Sequence, residues 1–227
     1  MVARNTIIQG DCLTILRTLP DKSVDSIITD PPFGIDYQSS RTHKTKRKPK
    51  IANDQSPFIW WMYDAFRVLK DPAPLICFSR FDTEEVFRWA MGIAGFTPKA
   101  QVIWDKRMHG MGDLKGNFAP QHENIIFATK GRYTFPYGRP KSVLSHCRVA
   151  PGKLVHPNEK PECLLADLIK SITQPGQLIL DPFLGSGITA IVARKLGRDY
   201  LGIELNPEYI KIATRRLNGC NETELRN

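Results

Sequence analysis

The sequence predicts an α/β protein organised around one mostly parallel β-sheet. Short apolar runs rich in β-branched residues alternate with segments whose apolar residues recur at helical spacing. Alternation of this kind is typical of a sheet whose crossover helices cover its faces. The chain has 227 residues, enough for a sizeable core, and no internal repeat or Gly/Ser linker divides it. We therefore expect a single domain over residues 1–227.

The predicted strands come from seven short apolar runs bounded by turn-forming or charged residues. They cover residues 5–9, 24–29, 75–78, 100–104, 124–129, 178–180 and 200–203. The predicted helices lie between these runs and are placed by apolar spacing and capping residues. They cover residues 13–19, 57–69, 82–94, 161–172, 188–196 and 207–217.

One helix start has a clear local signal. Ser56 is a good N-cap and Pro57 fits the first helical position, so we expect the second helix to begin there. The aromatic residues that follow, Trp60, Trp61 and Tyr63, are interpreted as core packing and not as a platform for a ligand.

Composition and charge exclude several classes of protein. The five cysteines (Cys12, Cys77, Cys147, Cys163 and Cys220) contain no Cys-x-x-Cys pair, which disfavours a disulfide framework or a zinc site. The five histidines form no i,i+4 pair, so we assign no metal. No apolar stretch approaches the length of a membrane span and no signal peptide is evident, so we expect a cytoplasmic protein without a membrane partner.

The charge balance points to a polyanionic partner. The formal net charge is +9 and the pI is about 9.4. Segment 34–53 has almost no apolar residue, so we expect a mobile loop over about 34–55 that contacts nucleic acid; a solvated surface loop is the alternative. Its basic residues are Arg41, Lys44, Lys46, Arg47, Lys48 and Lys50.

Two further polar inserts are candidates for substrate-facing loops. They cover about 105–123, which includes Lys106 and Arg107, and about 131–157. Loops at strand ends carry specificity in α/β proteins, so we expect target recognition there.

The stretch Asp30-Pro31-Pro32-Phe33 forms a stiff corner at the end of strand 24–29. Proline fixes φ and donates no backbone hydrogen bond, so the carbonyls of Asp30 and Pro31 are left to accept one. Acceptors beside an aromatic ring suit a planar group that carries an exocyclic NH2. A strand-ending turn with a buried Phe33 is the alternative.

The second informative stretch lies late in the chain. Segment 185–190 (Gly-Ser-Gly-Ile-Thr-Ala) fits G-x-G-x-x-A between a strand and a helix, and Glu204 ends the next strand. Glycines let a ligand approach the backbone and the acid can hold ribose hydroxyls, so the pattern fits a nicotinamide dinucleotide or S-adenosylmethionine. Asp181 would repel a pyrophosphate and attract a sulfonium. Because the site lies near the C-terminus, earlier strands must complete the sheet, in a circularly permuted order.

Together, these motifs resemble those of the β-class amino-methyltransferases of DNA, in which a D-P-P-[YFW] catalytic motif precedes an F-x-G-x-G cofactor motif. Asp30-Pro31-Pro32-Phe33 matches the first motif, Asp181–Gly187 the second, and Glu204 the ribose-binding acid. Gly10-Asp11-Cys12 and the H-P-x-x-K-P match at 156–161 resemble segments beside the cofactor. The resemblance runs from Gly10 to about Leu217.

The resemblance implies a Rossmann-like methyltransferase fold with a mostly parallel seven-stranded sheet, one antiparallel hairpin strand and a permuted motif order. It implies that S-adenosylmethionine is the cofactor. The residues implied to bind it are Asp11, Cys12, Asp30, His156, Lys160, Asp181, Phe183, Gly185, Ser186, Gly187, Thr189, Glu204 and Leu205.

The resemblance also implies a reaction on a base flipped out of double-stranded DNA, with Asp30, Pro31, Pro32 and Phe33 as catalytic residues. Phe33 would stack on the base, while the Asp30 carboxylate and the Pro31 carbonyl would accept hydrogen bonds from N6 of adenine. The leading Asp favours adenine, because the cytosine-N4 enzymes of the family more often begin this motif with Ser.

Several alternatives remain open from sequence. They are a cytosine-N4 methyltransferase, a non-catalytic DNA-binding module that keeps the fold, and a nicotinamide oxidoreductase. Asp30, Asp181 and Glu204 are intact, which argues against the second. The region between strand 124–129 and His156 is short for target recognition, so we expect a brief or loosely read site, use of loop 105–123, or a homodimer.

Overall fold

The computed structural model describes residues 2–34, 54–110, 115–149 and 159–219. Its strands are β1 (Thr6–Gln9), β2 (Ser26–Thr29), β3 (Ala73–Ser79), β4 (Thr97–Asp105), β5 (His122–Lys130), β6 (Val143–Ser145), β7 (Leu178–Asp181) and β8 (Asp199–Glu204). Its helices are α1 (Cys12–Thr18), α2 (Met62–Val68), α3 (Glu84–Ala94), α4 (Glu162–Ile172), α5 (Ile188–Lys195) and α6 (Pro207–Gly219).

All the described strands belong to one sheet with the order β1-β8-β7-β2-β3-β5-β4-β6. β5 runs antiparallel to both of its neighbours, and the other pairs are parallel. The expected mostly parallel sheet with one antiparallel strand is therefore confirmed, as is the permuted order of the motifs.

The expected count of seven strands was wrong by one. The additional strand, β6, lies within the insert 131–157 and pairs with β4 at the edge of the sheet. It has only three residues and none is fully buried, so it depends on its partner strand more than on its own apolar pattern.

The sheet places the two sequence motifs side by side. Every residue of β2 and of β7 is buried, because these strands lie in the middle of the sheet with helices on both faces. They pair in parallel with Ile27 opposite Leu180, so Asp30 and Asp181 lie at the same edge. The predicted adjacency of these two strand ends is confirmed.

The helices form a layer on each face. The core on one face includes Leu16 of α1, Met62 of α2 and Phe87 of α3. The core on the other face includes Leu165 of α4 and Ile191 of α5. No helix in the described part of the chain is long and apolar enough to cross a membrane.

The predicted start of the second helix was wrong. α2 begins at Met62, because the preceding segment is bonded to the corner after β2: Phe58 N donates to the Pro32 carbonyl at 3.1 Å. Among the aromatic residues, Trp61 is buried as predicted, whereas Trp60 and Tyr63 are 71% exposed. The core interpretation is therefore wrong for Trp60 and Tyr63.

Candidate active site

A cavity lies at the carboxyl edge of the central strands and contains most of the predicted site residues. The predicted residues that line it are Asp11, Cys12, Asp30, Pro31, Pro32, Phe33, Lys160, Asp181, Phe183, Gly185, Ser186, Thr189, Glu204 and Leu205. Gly187 does not line the cavity and is the N-cap of α5. His156 and the basic residues between Arg41 and Lys50 lie outside the described residues.

Asp181 is a buried carboxylate held by neutral donors. Its Oδ1 accepts a hydrogen bond from Thr29 Oγ1 at 2.8 Å and from Phe183 N at 3.1 Å, and the Thr189 side chain donates to it as well. Burial raises the pKa of Asp181 to about 6, although these donors oppose the shift. No Lys or Arg among the described residues forms an ion pair with it. The site therefore contains a buried negative charge without a matching cation at neutral pH.

Glycines shape the turn between β7 and α5. Gly185 and Gly187 have φ values of 57° and 87°, in the left-handed region that disfavours other residues. A Cβ on Gly187 would lie 2.6 Å from Cβ of Ala213, so α6 packs directly against this position. The pair of glycines thus serves both the backbone conformation and the close approach of α6.

Glu204, at the end of β8, binds the backbone of this turn. Its Oε2 accepts from Gly185 N at 2.8 Å and its Oε1 accepts from Asn206 N at 2.7 Å. Burial raises its pKa, while these backbone donors oppose the shift. The carboxylate consequently joins the glycine turn to the start of α6.

Three other residues predicted to bind the cofactor, Asp11, Cys12 and Ser186, differ in burial and in hydrogen-bond partners. Asp11 caps α1 by accepting from Leu13 N at 3.0 Å. Cys12 is buried, and burial raises the pKa of its thiol to about 12. Ser186 accepts through its carbonyl and hydroxyl from Arg216, at 3.2 and 3.1 Å.

Asp30 has one paired and one unpaired oxygen. Lys160 Nζ lies 3.0 Å from Oδ2, whereas Oδ1 is buried and has no hydrogen-bond partner among the described residues. Burial raises the pKa of Asp30, with Lys160 opposing the shift and Glu123 adding to it. Phe33 is half-buried and packs edge-on against Phe87 with ring centroids 6.3 Å apart. The corner thus presents a free acceptor beside an aromatic ring.

Glu123 is a site residue that sequence reasoning missed. Its Oε2 lies 2.9 Å from Lys160 Nζ, and its Oε1 lies 2.8 Å from Lys106 Nζ. Lys106, predicted to bind DNA, is therefore engaged in this ion pair and also lies over the ring of Trp104. Arg107 is exposed, as its predicted DNA contact requires. No group of three or more possible metal ligands among His, Cys, Asp and Glu occurs in the described part of the chain.

The comparisons with known proteins agree on the family. Residues 24–215 match a family model described as DNA methylase, the N6/N4 methyltransferase model. YubD of Escherichia coli (strain K12), a protein named as a methylase, is 34% identical over 214 residues, which cover 92% of this chain and 88% of that protein. The type II methyltransferase M.HinfI of Haemophilus influenzae is 29% identical, over 94% of this chain and 68% of that protein.

Solved structures share the fold. The M1.HpyAVI–SAM complex has a TM-score of 0.74 and 24% identity, with 94% of this chain and 98% of that chain covered. The PvuII DNA methyltransferase, described as cytosine-N4-specific, has a TM-score of 0.73 and 16% identity, with 99% and 91% covered. Both are similar in architecture across nearly the whole chain. With its two motifs joined at one edge of this sheet, and with a family model matched over most of its length, the chain belongs to the N6/N4 DNA methylase family.

Proposed function

We propose that this protein is an S-adenosylmethionine-dependent DNA methyltransferase that modifies the N6 amino group of adenine. The observation that carries the proposal is the unpaired, buried Oδ1 of Asp30, at the strand end next to Asp181 and the glycine turn. A buried acceptor without a donor is costly, by roughly 1–3 kcal/mol, and a substrate amino group would satisfy it.

The cofactor pocket fits a positively charged nucleoside. Asp181 is buried and its hydrogen-bond partners are neutral, so a sulfonium or ammonium would compensate its charge. Glu204 uses one site on each oxygen for backbone N–H groups, and a carboxylate has about four such sites, so it keeps capacity for ribose hydroxyls. When bound, S-adenosylmethionine supplies the electrophilic methyl group.

The corner after β2 orients the amino group that is methylated. An aromatic amine is a poor nucleophile, since its lone pair is shared with the ring. Asp30 Oδ1 and the Pro31 carbonyl accept hydrogen bonds from the two amino hydrogens, which favours a pyramidal nitrogen with an available lone pair. Lys160 fixes the other oxygen of Asp30 and so limits rotation of the carboxylate. Phe33 stacks on the base.

Access to the amino group requires the base to leave the duplex. Extrusion costs a few kcal/mol, which stacking and hydrogen bonds in the pocket offset. The net charge of +9 supports attraction to the DNA backbone, and Arg107 together with the basic residues of segment 41–50 is proposed to bind phosphates. For recognition of the target sequence, we propose a contribution from loop 105–123 or from a second subunit.

Cytosine-N4 methylation is the second candidate. It is favoured by the structural likeness to the PvuII enzyme, which is described as cytosine-N4-specific. Both bases present an exocyclic amino group, so the acceptor at Asp30 suits either. The leading Asp of the motif supports adenine.

Expression in a methylation-free bacterial host followed by modification-sensitive sequencing tests the proposal. We expect N6-methyladenine at one short, recurring sequence. N4-methylcytosine in place of N6-methyladenine would move the assignment to the second candidate. The absence of any modified base despite good expression of folded protein would contradict both.

A further inference from the structure

A line of four alternating charges runs into the candidate active site. Lys106 Nζ lies 2.8 Å from Glu123 Oε1, Lys160 Nζ lies 2.9 Å from Glu123 Oε2, and the same Nζ lies 3.0 Å from Asp30 Oδ2. Glu123 lies near the start of β5 and Lys106 directly follows β4. The line of charges therefore connects the β4–β5 hairpin to the corner after β2, at Asp30.

We propose that Glu123 is a positioning residue for methyl transfer: it holds the Lys160 ammonium so that Lys160 binds one oxygen of Asp30 and leaves the other for the substrate amino group. The inference rests on the proposed function, in which Asp30 Oδ1 is that acceptor. Glu123 acts on Asp30 through Lys160 and is not expected to contact the base.

The surroundings of Lys160 support this role. Its side chain is only 7% exposed and lies with Nζ 4.6 Å from the centroid of the Phe78 ring. An ammonium has three donors, and the carboxylates of Asp30 and Glu123 take two of them. Without the Glu123 charge, the buried ammonium would turn to Asp30, the other carboxylate that the described residues place against it. Contact with both Asp30 oxygens would then occupy the acceptor that the substrate needs.

Glu123 is also suited to remain negatively charged while the protonation of Asp30 changes with pH. Burial opposes ionisation of Glu123, but Lys160 and Lys106 outweigh it and lower its pKa to about 2. Its negative charge in turn adds to the raised pKa of Asp30. A carboxylate with a higher pKa is a stronger hydrogen-bond acceptor, so Glu123 offsets part of the weakening that Lys160 imposes on Asp30.

A purely structural role for Glu123, in which it only holds the hairpin, predicts different results. Loss of such a role would lower the melting temperature but would leave kcat of the folded protein unchanged. Glu84 provides the comparison, because it is a buried acid that contacts β5 by accepting from Asn124 Nδ2 at 2.7 Å. It belongs to a separate hydrogen-bond group, with Gln101 as its other partner.

The experiment compares Glu123→Gln, Glu123→Asp and Glu84→Gln in the full-length chain. Carboxyl NMR titration, with Asp30 assigned through Asp30→Asn, measures the pKa of Asp30 in each protein. We expect a lower pKa in Glu123→Gln, partial restoration in Glu123→Asp, and no change in Glu84→Gln. Steady-state methylation should show kcat reduced about tenfold in Glu123→Gln, with the Kd of S-adenosylmethionine unchanged and the acid limb moved to lower pH.

An unchanged Asp30 pKa in Glu123→Gln would overturn the inference, as would a kcat loss of equal size in Glu84→Gln. The NMR titration needs neither DNA nor turnover, so it separates this inference from the proposed function. If the wild-type protein methylates no DNA while the Asp30 pKa still responds to Glu123, the proposed function fails and the coupling of Glu123 to Asp30 stands.

Discussion

Lys160 Nζ lies 3.0 Å from Oδ2 of Asp30, and Oδ1 of the same carboxylate is buried without a hydrogen-bond partner among the described residues. The ion pair fixes the carboxylate in one orientation, so the unpaired acceptor is already in place before substrate arrives. Preorganised acceptors of this kind reduce the reorganisation required during reaction.

Replacing Gly187 should destabilise the fold through α6. In Gly187→Ala the new Cβ would lie 2.6 Å from Cβ of Ala213, at a φ of 87°. The positive φ alone costs roughly 1–2 kcal/mol, and the overlap adds to it, so we expect a total loss of about 3 kcal/mol or more. Urea unfolding measures the change.

Gly138→Ala is the matched control, since φ is 84° there and no atom lies within 4 Å of the added Cβ. It should show only the backbone cost. Equal destabilisation by the two substitutions would show that the packing of Gly187 on Ala213 contributes nothing. Ala213→Gly in the Gly187→Ala background should restore part of the lost stability.

Removing the charge of Glu204 should weaken cofactor binding. Glu204→Gln replaces one acceptor with an amide NH2 that faces a backbone N–H, at Gly185 or at Asn206. Loss of hydrogen bonds to a charged group costs about 1.5–3 kcal/mol, which corresponds to roughly 10- to 100-fold in Kd. Isothermal titration calorimetry with S-adenosylmethionine measures this change in Kd.

The control for Glu204 is Glu208→Gln, on the exposed surface of α6, where the acid pairs with Lys211. Its Kd for the cofactor should match that of the wild-type protein. An unchanged Kd in Glu204→Gln would remove Glu204 from the cofactor site.

Because of Asp181, the free energy of unfolding should fall as pH rises. Burial raises its pKa from 3.8 to about 6, so the folded state binds the proton more tightly than the unfolded state. The resulting stabilisation is fully present below about pH 4 and is lost as pH rises through about 6. A difference of about two pKa units corresponds to roughly 3 kcal/mol.

The comparison of wild type with Asp181→Asn isolates this effect, because all other titrating groups are shared. Between about pH 4 and pH 8, the unfolding free energy of the wild type should fall relative to that of Asp181→Asn by up to ~3 kcal/mol. A urea-unfolding series over this range measures the difference. If the difference in unfolding free energy between the two proteins does not change with pH, the pKa of Asp181 is the same in the folded and the unfolded state.

The parts of the fold that sequence predicted are those with local signals. The glycine turn, the acid at Glu204 and the Asp30–Phe33 corner each depend on residues adjacent in sequence, and their strand pairing followed from the motif order. Asn206 caps α6 in the same local way, since its Oδ1 accepts a hydrogen bond from Glu208 N at 2.9 Å. These features carry their own pattern, so one sequence is enough to find them.

Other features depend on contacts distant in sequence. Glu123 and Lys160 are 37 residues apart; antiparallel β5 pairs with β3, whose Phe78 ring lies under the Lys160 ammonium. Trp60 gave no signal of exposure, since an aromatic residue near helical spacing usually packs inward. The short strand β6 also has no pattern of its own and forms because β4 offers a free edge.

In the proposed reaction, the Asp30 carboxylate accepts a hydrogen bond from the amino group of adenine. Asp30→Asn keeps the size of the side chain but replaces an acceptor with an NH2 donor. We expect its loss of transfer rate to be on the order of 10³-fold, with S-adenosylmethionine affinity nearly unchanged, because Asp181 and Glu204 remain intact.

Mass spectrometry of nucleosides from DNA incubated with the cofactor and either protein is the most direct test of this role of Asp30. We expect N6-methyladenine with the wild-type protein and almost none with Asp30→Asn. Substantial N6-methyladenine from Asp30→Asn, or N4-methylcytosine as the sole product of the wild type, would contradict it.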